Sequence, residues 1–461
     1  MRGEVARFCR FVRARAGDVV APGKPIVLAR APGRIDVMGG IADYCGAVVL
    51  EGTLSEAALV GAQARSDDRV VVISREAPRE GLEGRVELHL ADLFAGREGK
   101  FDGVRAFFHY RPGQRWAAYL AGNISVLAAH CGARFPHGVT LLLASDVPLG
   151  AGVSSSAAVE VAAMCALAAL YGISLDGLEL ARLCQIVENR IVGAPCGIMD
   201  QVTCALGRRR SLLALKCQPH ELLGFHRLPA GVQVVGINSN VKHAVSGSRY
   251  KNARVAAFMG LKIITAHRGA DPCPGYLANI SPREFRQNYY RLLPAKMTGE
   301  EFLATYGETD DPVTTVDPQT TYSVRACTAH PIYENQRVVR FIELLEEAGR
   351  AGDERPLLKA GKLMYASHWS YGHNCALGAR ETDLLVRLAR EKGREWGIFG
   401  AKITGGGSGG TVAILARDDS RANEAIEEIV ATYGKQTGIA AQVFRGSSPG
   451  ALAYGTREIA V

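Results

Sequence analysis

Pro148–Ala162 reads PLGAGVSSSAAVEVA, and the fold is decided by how this stretch is read. Gly150 and Gly152 free the backbone to curl, Ser154, Ser155 and Ser156 follow directly, and a run of small helix-forming residues starts there. Such a turn aims unsatisfied backbone N–H groups and the positive end of a helix at one point, a ready anion site. Three hydroxyls add donors to phosphate oxygens and a ligand for Mg²⁺. A glycine turn with a serine cap is common by itself. The whole string, three serines followed by alanines that permit close approach, favours phosphate. No G-x-x-x-x-G-K-[ST] occurs anywhere in the chain, so the loop is not of the Walker type.

Working outward, a short N-terminal helix precedes a strand at Pro25–Ala29, a turn at Pro32–Gly33, and further strands at Ala47–Val49, Val70–Ile73 and Val139–Leu143. Helical spacing marks Trp116–Ala129 and Ser155–Tyr171, with Gly172 at the C-terminal cap. Val232–Ile237 reads as a buried strand, followed by a polar stretch from Ser239 to Arg254. From Arg268 to Pro331 the composition predicts an elaborated surface segment or lid. Helices are expected at Glu334–Gly349, Asp353–Ser367 and Thr382–Gly393, and strands at Phe399–Ile403 and Thr411–Ala416. Strands and helices mix without strict βαβ alternation, which predicts an α+β protein.

The 461 residues exceed the roughly 250–300 at which one core stops growing, so two domains with a ligand cleft between them are expected. The formal charge of +8 carries no basic run longer than Arg208–Arg210, which excludes a nucleic-acid patch. Eleven cysteines without C-x-x-C spacing predict neither a disulfide framework nor a zinc site and fit a reducing cytoplasm. Ala157–Tyr171 contains Glu160 and is too short for about 30 Å of hydrocarbon, so a soluble protein with no membrane partner is expected.

Gly405, Gly407 and Gly410 in ITGGGSGGTV satisfy both the dinucleotide fingerprint and the protein-kinase glycine loop. The first needs a following helix, yet Thr411–Ala416 reads as a strand. The second needs H-R-D and D-F-G segments downstream, and neither follows. Both readings fail.

Phosphoryl transfer needs positioning, charge neutralisation and an acceptor for the hydroxyl proton. VENRIVGAPCGIMDQ offers Asp200, placed after Pro195 and Gly197 on a fixed turn, and Glu188, near the end of a helix running from Leu178. Read alone, each is more readily a surface carboxylate, which most Asp and Glu are.

Together these motifs resemble the GHMP kinases, and within them the galactokinases, from about Pro25 to Gly455. The resemblance implies a two-domain fold, residues 1–228 and 229–461, with the active site in the interdomain cleft. It makes the serine loop the second family motif, with Gly150, Gly152, Ser154, Ser155 and Ser156 on the ATP phosphates. It makes ITGGGSGGTV the third motif, with Gly406 closing on the nucleotide. Ser156 and Glu188 would hold Mg²⁺. Asp200 in PCGIMDQ matches the catalytic base, and Arg34 in RAPGRIDVMGGIADY matches its ion partner. Gly197 and Tyr250, the latter in NSNVKHAVSGSRYKNAR, fall at sugar-contacting positions. Trp116 falls where the family lines its nucleotide pocket, though a core tryptophan explains it equally well. Lys402 is a phosphate contact by proximity alone. A monomer or homodimer with no macromolecular partner is expected.

One departure bears on the sugar. Galactokinases read G-E-H-T-D-Y where this chain has Gly39, Gly40, Ile41, Ala42, Asp43 and Tyr44. Asp43 keeps the carboxylate for ring hydroxyls, while the glutamate that meets the hydroxymethyl group and the histidine become Gly40 and Ile41. A site that has lost polar partners suits a sugar lacking that hydroxyl. L-Arabinopyranose is such a sugar, and the variant stretch is similar to the kinase half of the plant L-arabinokinase family. D-Galactose phosphorylation and a catalytically silent sugar- and ATP-binding regulator are the rivals; retention of Asp200, Arg34 and the serine run argues against silence.

Overall fold

The computed structural model describes residues 2–94, 101–241, 248–269 and 274–460. Part of the stretch resembling the galactokinase NSNVKHAVSGSRYKNAR segment, residues 242–247, lies outside them.

Fourteen strands are present among the described residues. They are β1 (Ile26–Met38), β2 (Val48–Ala64), β3 (Arg69–Ser74), β4 (Arg85–His89), β5 (Val139–Ser145), β6 (Ser211–Lys216), β7 (Glu221–Arg227), β8 (Val232–Asn238), β9 (Met297–Thr298), β10 (Thr321–Tyr322), β11 (Ile398–Ile403), β12 (Thr411–Arg417), β13 (Gln442–Phe444) and β14 (Arg457–Ile459). The large sheet runs β14-β1-β2-β5-β3-β4, with β6 added to β2 and β7 to β6. Its pairs are antiparallel except β3–β5. A second antiparallel sheet runs β11-β12-β8-β13, and β9–β10 is a separate ribbon. This is the α+β arrangement expected.

β1 is longer than its sequence suggests. The expected turn at Pro32–Gly33 lies inside it, where the register with β2 shifts between Pro32 and Arg34. Proline cannot donate to the ladder, and the bulge accommodates it. Arg34 thereby remains in a strand while its backbone N–H bonds the Val153 carbonyl of the serine loop at 3.1 Å.

The helix Ser155–Leu170 is buried almost all round because its Ala, Val and Leu side chains leave no polar face. It packs on β1 and β2 beside the helix Ala118–Cys131. The same apolar cluster extends to Phe341, Phe399 and Leu415, so the two sheets share a core.

The segment after Arg268 is not a loose lid. It carries the helix Gly299–Tyr306, the ribbon, and the start of the helix Val324–Ala351, which contains Pro331. Phe285, Tyr289, Leu293, Phe302, Val316 and Tyr322 are buried in one cluster with Ile41 and with the helix Ser248–Arg268. Its scattered aromatics, with no simple period, are what the composition concealed. Among the described residues, no helix is long and apolar enough to cross a membrane.

Candidate active site

One cleft collects Arg34, Ile41, Asp43, Gly150, Gly152, Ser154, Ser155, Ser156, Glu188, Gly197, Asp200, Tyr250 and Gly406. β1 delivers Arg34, and the turn ahead of the helix Ser155–Leu170 delivers the serines. Gly150 and Gly152 adopt φ of +72° and +71°, which lets this turn curl. Ser154, also left-handed at φ 56°, swings its hydroxyl towards the catalytic candidates instead of capping the helix.

Asp200 sits in the first turn of a helix, Met199–Leu206, not on the bare turn expected. Arg34 donates to its Oδ1 from Nε and from Nη2, each at 2.8 Å. Ser154 Oγ donates to Oδ2 at 2.5 Å. Arg34 also donates from Nη1 to the Gly152 carbonyl at 2.8 Å, tying the carboxylate to the phosphate loop. Glu51 lies behind, 3.4 Å from Arg34 Nε and fully buried. Burial, and then the adjacent Asp36, hold the Glu51 carboxyl well above the usual range.

Glu188 lies two residues past the expected helix, which ends at Ile186, on a π-helical turn Val187–Val192. Such turns frequently occur at functional positions. Gln201 Nε2 donates to its Oε2 at 2.6 Å, and the Cys196 thiol approaches at 3.4 Å. Burial first, then the charge of Asp200, push Glu188 up to about 7, while bonds from Ser156, Cys196 and Gln201 pull the other way. A divalent cation beside Ser156 and Glu188 would remove that repulsion, so the pair fits a metal. One carboxylate and one hydroxyl suit Mg²⁺, which is bound through few protein ligands plus phosphates. Among the described residues no cluster of three or more His, Cys, Asp or Glu forms a self-sufficient cage.

At the other end, Asp43 is buried against Gly197, where an added Cβ would fall 1.7 Å from its Oδ2. Burial, reinforced by Asp200, raises the Asp43 pKa to about 6. Among the described residues its Oδ1 has no hydrogen-bond partner, an acceptor still to be satisfied. Tyr250 meets Tyr44 edge-on at 6.1 Å. Ile41 lines the cleft with φ 53°, strained for a β-branched residue.

Three expected residues are not brought into the cleft. Gly40 packs beneath it, with its carbonyl 3.2 Å from His330 Nε2. Trp116 bonds the Glu83 carbonyl and packs on the core, outside the lining of this cleft and of the cavity beside it. Lys402 is fully buried and bonds Asp36 Oδ2 at 2.6 Å, which removes it from phosphate contact. The neighbouring cavity, about 420 Å³, is lined by Glu76, Arg79, Leu149, Gly150, Asn238 and Asn240. Sequence reading missed Asn238, Cys196 and Arg254; NSN and PCG mark the first two only as turn-forming strings.

Residues 118–208 match the family described as GHMP kinases N terminal domain, and residues 341–435 match GHMP kinases C terminal. A galactokinase from Chloroflexus aurantiacus is 32% identical, with 86% of this chain and 85% of that protein covered. The chain belongs to the GHMP kinase family and to its galactokinase-like branch. An L-arabinokinase from Arabidopsis thaliana is 40% identical over 97% of this chain and 48% of its own length, so this chain spans about half of that protein. The crystal structure of Lactococcus lactis galactokinase complexed with galactose shares the fold, with a TM-score of 0.75 over 99% of each chain at 23% identity.

Proposed function

We propose that this chain phosphorylates the anomeric hydroxyl of L-arabinose with ATP to give L-arabinose 1-phosphate and ADP. The observation that carries the reading is the Arg34–Asp200–Ser154 constellation, set between the phosphate loop and Asp43 in one cleft. Asp200 accepts the sugar O1 proton; a carboxylate has lone pairs enough for this beside Arg34 and Ser154. The O1–P bond forms as the bond from the γ-phosphorus to its bridging oxygen breaks. Arg34 fixes the carboxylate and stabilises charge on the transferring group. Backbone N–H groups of the serine loop and Gly406 cradle phosphates, and the 420 Å³ cavity beside the loop takes the nucleoside. Ser156 and Glu188 would hold Mg²⁺, which would supply neutralisation of phosphate charge. Asp43 and Tyr250 orient the ring.

The choice of pentose rests on the loop carrying Gly40 and Ile41. A Cβ at Gly40 would fall 1.8 Å from Tyr371 Oη, so no side chain at that position can reach towards a sixth carbon. Ile41 presents an apolar wall. The 40% identity with an L-arabinokinase points the same way. D-Galactose is the second reading, supported by the galactokinase relative at 32% identity. We also infer a domain division at 228/229, since β1–β7 precede it and β8–β13 follow, with β14 alone returning to pair with β1. A reducing cytoplasm suits the cysteines, which form no disulfide among the described residues.

The test compares kcat/KM for L-arabinose and D-galactose with saturating Mg²⁺–ATP. A preference for L-arabinose is expected. Preference for galactose would overturn the sugar assignment, and no turnover of either would overturn the kinase reading.

A further inference from the structure

The segment between the helices Ser248–Arg268 and Val324–Ala351 holds a buried carboxylate that phosphoryl transfer does not use. Asp311 has no exposed side-chain surface. It accepts from Arg254 Nε and Nη2, each at 2.8 Å, and from Thr314 Oγ1 at 2.5 Å and the Val313 N–H at 3.2 Å. A bidentate pair of this kind fixes the plane of the guanidinium. The remaining nitrogen, Nη1, is thereby turned towards the carbonyls of Pro195 and Cys196, at 3.5 and 3.4 Å. Both of those residues line the cleft, and Gly197 beside them is the residue that abuts Asp43.

The same guanidinium stands over the Tyr44 ring, 5.2 Å from its centroid, and near Phe258 at 5.6 Å. Arg254 lies one helical turn beyond Tyr250 and so projects from the same face. One side chain thus touches the helix carrying Tyr250, the loop ahead of Asp200, and the ring next to Asp43. Its place is set from a segment 57 residues further along the chain.

We propose that Asp311 is a positioning residue for the sugar end of the cleft, acting by locking Arg254 against Tyr44 and the 195–197 loop. The proposal rests on the sugar-kinase reading. Without the Asp311 charge, the buried guanidinium turns to Asp43, the next carboxylate it faces, and occupies an acceptor that the sugar needs. Among the described residues Arg254's side-chain hydrogen bonds go to Asp311 and the 195–196 carbonyls and none to the phosphate loop, so the effect falls on one substrate.

The test is steady-state kinetics of the full chain, with L-arabinose and D-galactose varied at saturating ATP and ATP varied at saturating sugar. Asp311→Asn should raise KM for the sugar about tenfold or more. KM for ATP should stay within about twofold, because the residues that hold ATP are untouched. Thr314→Val removes one hydrogen bond to Asp311 and should raise the sugar KM about two- to fivefold. This milder variant carries the test should Asp311→Asn fail to fold. An unchanged sugar KM in a variant that merely melts earlier would overturn the proposal, as would an equal rise in both KM values. A wild-type chain that turns over neither sugar would overturn the kinase reading and this proposal with it.

Discussion

Two ion pairs rise from one face of β1, and they have opposite fates. Arg34 and Asp36 are two residues apart, so their side chains project to the same side of the sheet. Arg34 meets Asp200, which retains 18% side-chain exposure at the cleft. Asp36 meets Lys402 with no exposure on either side. Tyr371 Oη caps the buried pair, bonding Asp36 at 3.2 Å and the Gly405 carbonyl at 3.0 Å. Glu51, paired across the strands with Asp36, sits between the two. The same kind of ion pair is the proposed reagent where it faces a cavity and a rivet where it is sealed. Burial, not residue type, makes the difference.

The largest expected effect breaks the rivet. Lys402→Met leaves Asp36 buried without its cation and should cost about 3–5 kcal/mol in urea unfolding. Replacing both partners, Asp36→Leu with Lys402→Met, should recover much of that loss, because the uncompensated charge goes with the pair. A double variant as unstable as the sum of its parts would mean the pair is not a closed unit.

Gly40→Ala probes the Tyr371 cap of the buried pair. Its Cβ would fall 1.8 Å from Tyr371 Oη and 2.3 Å from Asp36 Oδ2. Overpacking of that kind should cost about 1–3 kcal/mol in the same assay. A neutral variant would show that Tyr371 swings away freely.

The smallest effect sharpens the reactive side. With its pKa raised to about 6, Asp43 is protonated below that pH and loses acceptor capacity for the sugar. At saturating Mg²⁺–ATP, where the cation holds Glu188 ionised, kcat/KM for L-arabinose should fall with an acid limb near pH 6. A limb at the ordinary aspartate value, about 4, would contradict a raised Asp43 carboxyl governing sugar binding.

Much of the reactive side was legible in the sequence because its residues sit in short strings whose spacing is itself the chemistry. PLGAGVSSS and PCGIMD each lead into a helix, APGR lies on β1, and the three segments converge in one cleft. The riveted side was not legible. Asp36 and Lys402 are 366 residues apart, and nothing local marks either as buried. Lys402 beside a glycine loop reads as a phosphate contact until its environment is known. Gly40 was legible as a substitution but not as a packing necessity, since Tyr371 arrives from a distant helix, Arg355–His373. The segment after Arg268 shows the same limit. Its prolines and acidic cluster suggest a loop, while the aromatics that build its core lack any simple period.

The difference between the two pairs is tested most directly at Asp200. Asp200→Asn preserves the shape of the Arg34 contact and removes the base. Turnover of L-arabinose should fall by about 10²–10⁴, with the unfolding midpoint and the affinity for ATP close to those of the unmodified chain. Turnover within tenfold of the unmodified chain would contradict the assignment of Asp200 as the proton acceptor, and with it the reading of the Arg34–Asp200 pair as the reactive one.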